Sequence, residues 1–148
     1  MQATGLPAPF SPAVLLVLVL GGVSGCLARY GLGSLLATPP GSWPVSTFVI
    51  NLVGCFALGA LLEHLTRRGP DTPARRLVRV GLGTGLIGTF TTYSTLAVEL
   101  DLFVRDQDLL LAAGYAAASL IGGLLAVAAG IATIAVLGAG RLRREVAR

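Results

Sequence analysis

Four long apolar runs, separated by short polar stretches, organise the chain. The first covers residues 13–36 and reads VLLVLVLGGVSGCLARYGLGSLL from Val14 onward. The second, at 45–62, reads VSTFVINLVGCFALGALL; the third covers 80–100; the fourth stays apolar from Leu109 to Gly138. Each reaches or approaches the roughly 20 residues a helix needs to cross about 30 Å of hydrocarbon. The connections are short. TPPGSWP at 38–44 is a proline-glycine turn, EHLTRRGPDTPARRLVR at 63–79 is a polar loop, and DLFVRDQD at 101–108 is the third. The pattern predicts an all-α membrane protein with four transmembrane helices, at about 13–36, 45–62, 80–100 and 109–138, forming one domain over 1–148. The first run is not expected to be a cleaved signal peptide, because it lacks a basic start and continues too far.

Composition agrees with this reading. Hydrophobic residues make up 54% of the 148 positions and charged ones 12%, half the roughly 25% usual in soluble domains. Too little polar surface remains to cover a water-soluble globule. Cys26 and Cys55 both sit inside apolar runs, with no Cys or His at metal-ligand spacing, so they read as small packing residues.

Charge adds an orientation. The chain has no lysine, and its eleven arginines are unevenly placed. Arg67, Arg68, Arg75, Arg76 and Arg79 lie in the second connection, and Arg141, Arg143, Arg144 and Arg148 in the tail. With four crossings, that connection and both termini share one side, and the opposite side carries only Arg105. The positive-inside rule then places both termini in the cytoplasm of a multi-pass cell-membrane protein. The arginines lack interleaved aromatics and abut membrane helices, so no nucleic-acid partner is expected.

Polar residues inside the apolar runs carry the functional signal, because such groups are costly in lipid. GTFTTYSTL at 88–96 packs five hydroxyls into a membrane segment. Thr47 and Asn51 are four apart on the second helix, with Gly54 beyond; Tyr115 and Ser119 are four apart on the fourth, followed by Gly122 and Gly123. Any one of these could serve only as interhelical glue. Polar groups on three helices favour a pathway. Carboxylates read as absent from the helix centres: Glu63 and Glu99 are expected at helix ends, and the remaining acids in connections or the tail. His64 is expected at the cytoplasmic end of the second helix. Hydroxyls, an amide and aromatic edges suit an anion, whose water shell O–H and N–H donors and positive ring edges partly replace. No nucleophile–base pair, phosphate loop or metal cluster is present, so an enzyme is not expected.

GGVSGCLARYGLG at 21–33, STFVINLVGCFALG at 46–59 and GLGTGLIGTFTTYSTL at 81–96 resemble the CrcB/Fluc family of fluoride channels. The resemblance spans all four helices. It implies a passive, fluoride-selective channel, built as an antiparallel dimer with two pores and a structural Na+ at its centre. The sodium ligands fall on the backbone carbonyls of Gly88 and Thr91, which requires a break in the third helix. The pore asparagine falls on Asn51, with Thr47 one turn earlier, and the fourth-helix pair on Tyr115 and Ser119. Tyr93 and Leu96 stand where the family carries phenylalanines, a departure; with Ser94 and Thr95 they are placed along the fluoride path. Arg29 matches an arginine assigned as structural or mouth-lining.

The arginine bias opposes insertion in both orientations, so the expected partner is a homologous, oppositely oriented subunit. Two rivals stand beside this reading. A small four-helix multidrug or cation exporter would need a membrane carboxylate. A non-conducting membrane subunit would use the hydroxyls for packing alone.

Overall fold

The structure is a computed structural model that describes residues 11–39 and 41–146, with residues 140–146 described by their helical backbone alone. Arg148 lies outside the described residues. Seven helical elements follow in order: α1 (Pro12–Leu35), α2 (Val45–Arg67), α3 (Pro73–Val78), the π-helical α4 (Arg79–Ile87), the single turn α5 (Gly88–Phe90), α6 (Tyr93–Arg105) and α7 (Leu109–Val146). No strand occurs among the described residues.

Local chemistry sets the ends. Ser11 accepts from the Val14 N–H with Pro12 at the first helical position, and Thr72 accepts from the Arg75 N–H ahead of Pro73. A cap hydroxyl followed by proline supplies an acceptor for one orphan N–H and removes another. Asp108 Oδ1 accepts from the Leu111 N–H to start α7. Gly69, in a left-handed conformation (φ +88°), lets the chain turn after α2.

Among the described residues, three helices, α1, α2 and the Leu109–Ala139 part of α7, are long and apolar enough to cross a membrane. Their apolar side chains face outward: Leu16, Leu20 and Leu27 on α1 and Leu120, Leu124 and Leu125 on α7 are all exposed. In water this would be unfavourable; in lipid it costs nothing. The boundaries differ from the expected ones in three places, one being that α7 continues past residue 138 to Val146. The stretch 63–79 is mostly helical rather than a loop, because α2 runs to Arg67 and Thr72 restarts a helix at Pro73. The third apolar run is divided among α4, α5 and α6 and continues to Arg105, so Glu99 lies in the middle of α6 and not at a helix end.

Close backbone approach holds the pairs together. A Cβ at Gly25 would collide with the Leu86 carbonyl and the Thr89 hydroxyl, and one at Gly59 with the Val127 carbonyl. Small residues let helices meet where lipid offers no hydrophobic drive between them. Gly21 and Gly25 of α1 meet Gly81 and Leu86 of α4 in rising order, and Gly122 and Gly130 of α7 meet Phe48 and Phe56 of α2 in rising order. Each pair therefore runs parallel, and the two pairs oppose each other through the chain's connections. The start of α1, the end of α2, all of α3 and the end of α7 gather at one end of the molecule, where the arginines are. The other end carries Glu99, Asp101, Asp106 and Asp108 around Arg105.

Candidate ion pathway

The chain leaves helical geometry at two residues. Thr91 (φ −74°, ψ 158°) and Thr92 (φ −145°, ψ 120°) are extended. Backbone groups freed this way need partners in an apolar setting. Asn51 of α2 supplies them: its Nδ2 donates to the Thr92 carbonyl at 3.0 Å, and its Oδ1 accepts from the Thr92 N–H at 2.9 Å. In a continuing helix that N–H would bond the Gly88 carbonyl, which is thereby left without its usual partner. Gly54, one turn beyond Asn51, makes room for the Thr91 methyl, which any Cβ there would strike. Thr91 Oγ1 donates back to the Ile87 carbonyl at 2.9 Å. Thr92 then caps α6, its Oγ1 accepting from the Thr95 N–H at 3.1 Å and lying 2.9 Å from Thr95 Oγ1 and 3.2 Å from Ser94 Oγ.

One turn up α2 from Asn51, toward the acidic end, a second polar group is built from side chains. Thr47 Oγ1 donates to Glu99 Oε1 at 2.6 Å, and Tyr115 OH donates to Glu99 Oε2 at 2.7 Å. Thr47 and Tyr115 are buried, Tyr115 completely. Aromatic edges surround the tyrosine: its ring centre lies 5.2 Å from that of Trp43 and 6.1 Å from that of Phe103, both nearly perpendicular. Phe48 packs on Trp43 in the same way. A carboxylate accepting two hydroxyl bonds gains charge-assisted pairing that offsets part of its desolvation.

Two cavities lie near this cluster. A groove of about 450 Å³ is lined by Asn51, Gly88, Thr91, Tyr93, Leu96 and Ser119, among others, and carries no charged side chain on its walls. A second cavity, of about 310 Å³ at the acidic end, is lined in part by Thr38, Ser42, Glu99, Phe103 and Asp106. Glu99 faces the second while its neighbour Leu100 lines the first. Of the Thr47–Glu99–Tyr115 cluster, Glu99 alone lines a cavity, the second one. Ser119 Oγ is buried beside the groove and close to the Tyr115 side chain, with no hydrogen bond of good geometry among the described residues. A buried, unbonded hydroxyl costs free energy unless something else meets it.

The expected site residues thus fall into three places. Asn51, Gly88, Thr91, Tyr93, Leu96 and Ser119 share the groove; Thr47 and Tyr115 join at Glu99; Ser94 and Thr95 belong to the α6 cap and are exposed. Tyr93 is 83% exposed at the groove's rim. Arg29 is half-buried on α1, lines neither cavity and has no bonded partner among the described residues. Glu99 was missed because the third helix was expected to end near it. The spacing Thr92, Leu96, Glu99, Phe103, which lines one helical face, would have found it, as it would have found Phe103. No cluster of three or more His, Cys, Asp or Glu able to hold a metal occurs among the described residues.

Residues 16–131 match the family model described as "CrcB-like protein, Camphor Resistance (CrcB)". The chain belongs to the CrcB/FluC family. That family is one of ion channels, not of enzymes. Fluoride-specific ion channel FluC 2 of Nocardia farcinica is 41% identical over 143 residues, covering 97% of this chain and 94% of that one. FluC 2 of Leifsonia xyli subsp. xyli is 44% identical over 86% of this chain and 87% of its own length. FluC 1 of Moorella thermoacetica is 41% identical over 78% and 81%. The comparison favours a channel over an exporter. The expected absence of a membrane carboxylate no longer argues against an exporter once Glu99 is seen bonded to Thr47 and Tyr115.

Proposed function

We propose that this CrcB/FluC chain is a passive fluoride channel that lets the ion leave the cytoplasm and so limits its toxicity. The observation that carries the reading is the near full-length likeness to channels named as fluoride-specific. The geometry supports it with a groove free of charged side chains, whose polar walls are hydroxyls and one amide. A small, strongly hydrated anion needs short O–H and N–H donors to replace its water. The Ser119 hydroxyl is one such donor, and Tyr115 and Thr47 are donors that Glu99 holds one turn nearer the acidic end. Fluoride arriving there competes with the carboxylate for these hydroxyls.

In this reading α3 to α6 form one crossing interrupted at Thr91–Thr92, so that four segments span the membrane as a single domain with both termini cytoplasmic. The Gly88 and Thr91 carbonyls fit a structural Na+, a hard cation that takes oxygen ligands. Thr92 has given its N–H to Asn51, which leaves the Gly88 carbonyl to turn outward, and both residues line the groove. One chain offers too few such oxygens, so a second subunit completes the set in an antiparallel dimer. The uneven arginines favour a homologous, oppositely oriented partner over a second copy.

Purified chain in proteoliposomes, alone and with a homologous four-helix partner, tests the reading. Fluoride efflux that is selective over chloride and needs no proton or sodium gradient is expected. Proton-coupled cation transport would replace the channel with an exporter, and no flux in either preparation would leave a non-conducting subunit. Robust efflux from the single chain would remove the need for the partner alone.

A further inference from the structure

A third cavity lies at the arginine-rich end, on the side of the molecule formed by α1 and α4. It holds about 420 Å³ and is apolar, with Leu20 and Gly21 of α1 on one wall and Val78, Leu82 and Leu86 on the other. Leu20 and Leu82 are exposed, so the groove opens sideways toward lipid. Val78, Leu82 and Leu86 succeed one another at four-residue spacing, an apolar strip on the order of 10 Å long parallel to the helix axis. At the outer end of this strip stand Arg75, one turn before Val78, and Arg79, the residue after it, both just outside the groove's lining. Arg75 Nη1 donates to the Pro70 carbonyl and Arg79 Nη2 to Asp71 Oδ1, each at 2.7 Å. A guanidinium carries five N–H donors in a planar fork, so both retain donors after these bonds, and the Arg79 side chain is 45% exposed.

An occupant of this place must be apolar below and anionic above. We propose that the groove holds an acyl chain of an anionic phospholipid, whose phosphodiester is met by Arg75 and Arg79. Arginine, not lysine, supplies every basic side chain here, and its fork matches phosphate oxygens two at a time. Basic pockets between membrane helices on the cytoplasmic side are suited to such headgroups. An antiparallel second copy is the rival occupant. It would bring up the acidic end, where Asp101 is already paired with Arg105 and Asp108 caps α7. Among the described residues there, only the Asp106 carboxylate has no bonded partner, a single carboxylate against two arginines. The proposal needs only the membrane setting and is independent of what the channel conducts.

Purified wild-type chain exchanged into an equal mixture of phosphatidylglycerol and phosphatidylcholine provides the test, with the retained lipid measured by native mass spectrometry. About one tightly held lipid per chain is expected, enriched in phosphatidylglycerol on the order of tenfold, as for a bidentate charge-assisted contact. The double variant Arg75→Gln/Arg79→Gln should bring the ratio to parity. Leu82→Trp should lower retention of both lipids. Asp71→Asn, which releases Arg79 from its partner, should keep the enrichment. Were it to abolish enrichment as the double variant does, Arg79 would only hold the loop and the proposal would fail. Parity in the wild type would overturn it. So would enrichment that depends on Arg141, Arg143 and Arg144 instead, since that is diffuse attraction. A Leu82→Cys variant lacking Cys26 and Cys55 that cross-links to a second chain in the bilayer would assign the groove to a copy and also end it.

Discussion

Asn51 and Thr47 sit one turn apart on the same face of α2, yet their side chains do different work. Asn51 spends both ends of its carboxamide on the backbone of Thr92. Thr47 gives its hydroxyl to a side chain, Glu99, which shares its other oxygen with Tyr115. The first arrangement satisfies groups that an apolar surrounding would otherwise penalise, and its natural role is to hold the chain's shape. In the proposed pathway, the second holds donors that an arriving anion would take over. A polar residue inside a membrane protein is thus classified by what it bonds, and position alone does not distinguish the two.

The sharpest way to break this contrast is Asn51→Ala. Two backbone groups of Thr92 lose their partners, at about 1–3 kcal/mol each, so thermal unfolding in detergent should fall markedly and flux with it. A variant that stays as stable as wild type but no longer conducts would move Asn51 into the pathway class. Tyr115→Phe should cost less. It removes one hydroxyl from a carboxylate, a bond worth roughly 1.5–3 kcal/mol, while the ring keeps its packing on Trp43 and Phe103. Fluoride efflux should drop on the order of tenfold with the fold retained, equivalent to about 1.4 kcal/mol in the barrier. Unchanged efflux would make the tyrosine a packing residue.

Glu99→Gln keeps an acceptor for one hydroxyl and removes the charge. Passive efflux measured in liposomes should persist within about tenfold, because no proton is traded against the ion. Complete loss together with loss of proton coupling would revive the exporter. Ser119→Ala is the mildest. Deleting a buried hydroxyl that makes no hydrogen bond of good geometry should leave stability unchanged or raise it by up to about 1 kcal/mol, while efflux falls severalfold through the loss of a donor. A marked loss of stability would show that the hydroxyl has a structural partner.

Much of this was legible in the residues. Unbroken apolar length announces a membrane helix, since every backbone group must be bonded within the segment, and the starts of α1, α2 and α7 fall within a residue of the expected ones, while α2 and α7 run on past their expected ends. The extent of the third run was not legible. A cap at Thr92 restarts the helix and carries it to Arg105, and propensity alone does not say that a threonine among threonines is the one that caps. Glu99 followed from that error: placed at a helix end it looked solvated, whereas mid-helix it reaches two hydroxyls from other helices. The apolar groove under Arg75 and Arg79 could not be read at all, because its two walls come from segments about sixty residues apart.

By itself the sequence determined the membrane setting, the arginine-rich end, the family and the polar types available within the apolar runs. These depend on composition and local spacing, which a linear string carries in full. Tertiary structure decided which polar groups bond each other: Asn51 with the Thr92 backbone, Glu99 with Thr47 and Tyr115, and Ser119 with no hydrogen bond of good geometry among the described residues. Hydrogen bonds reach only about 3 Å, so the partner of a buried polar group depends on how helices are packed, and the glycine contacts that set that packing appear only when the helices meet.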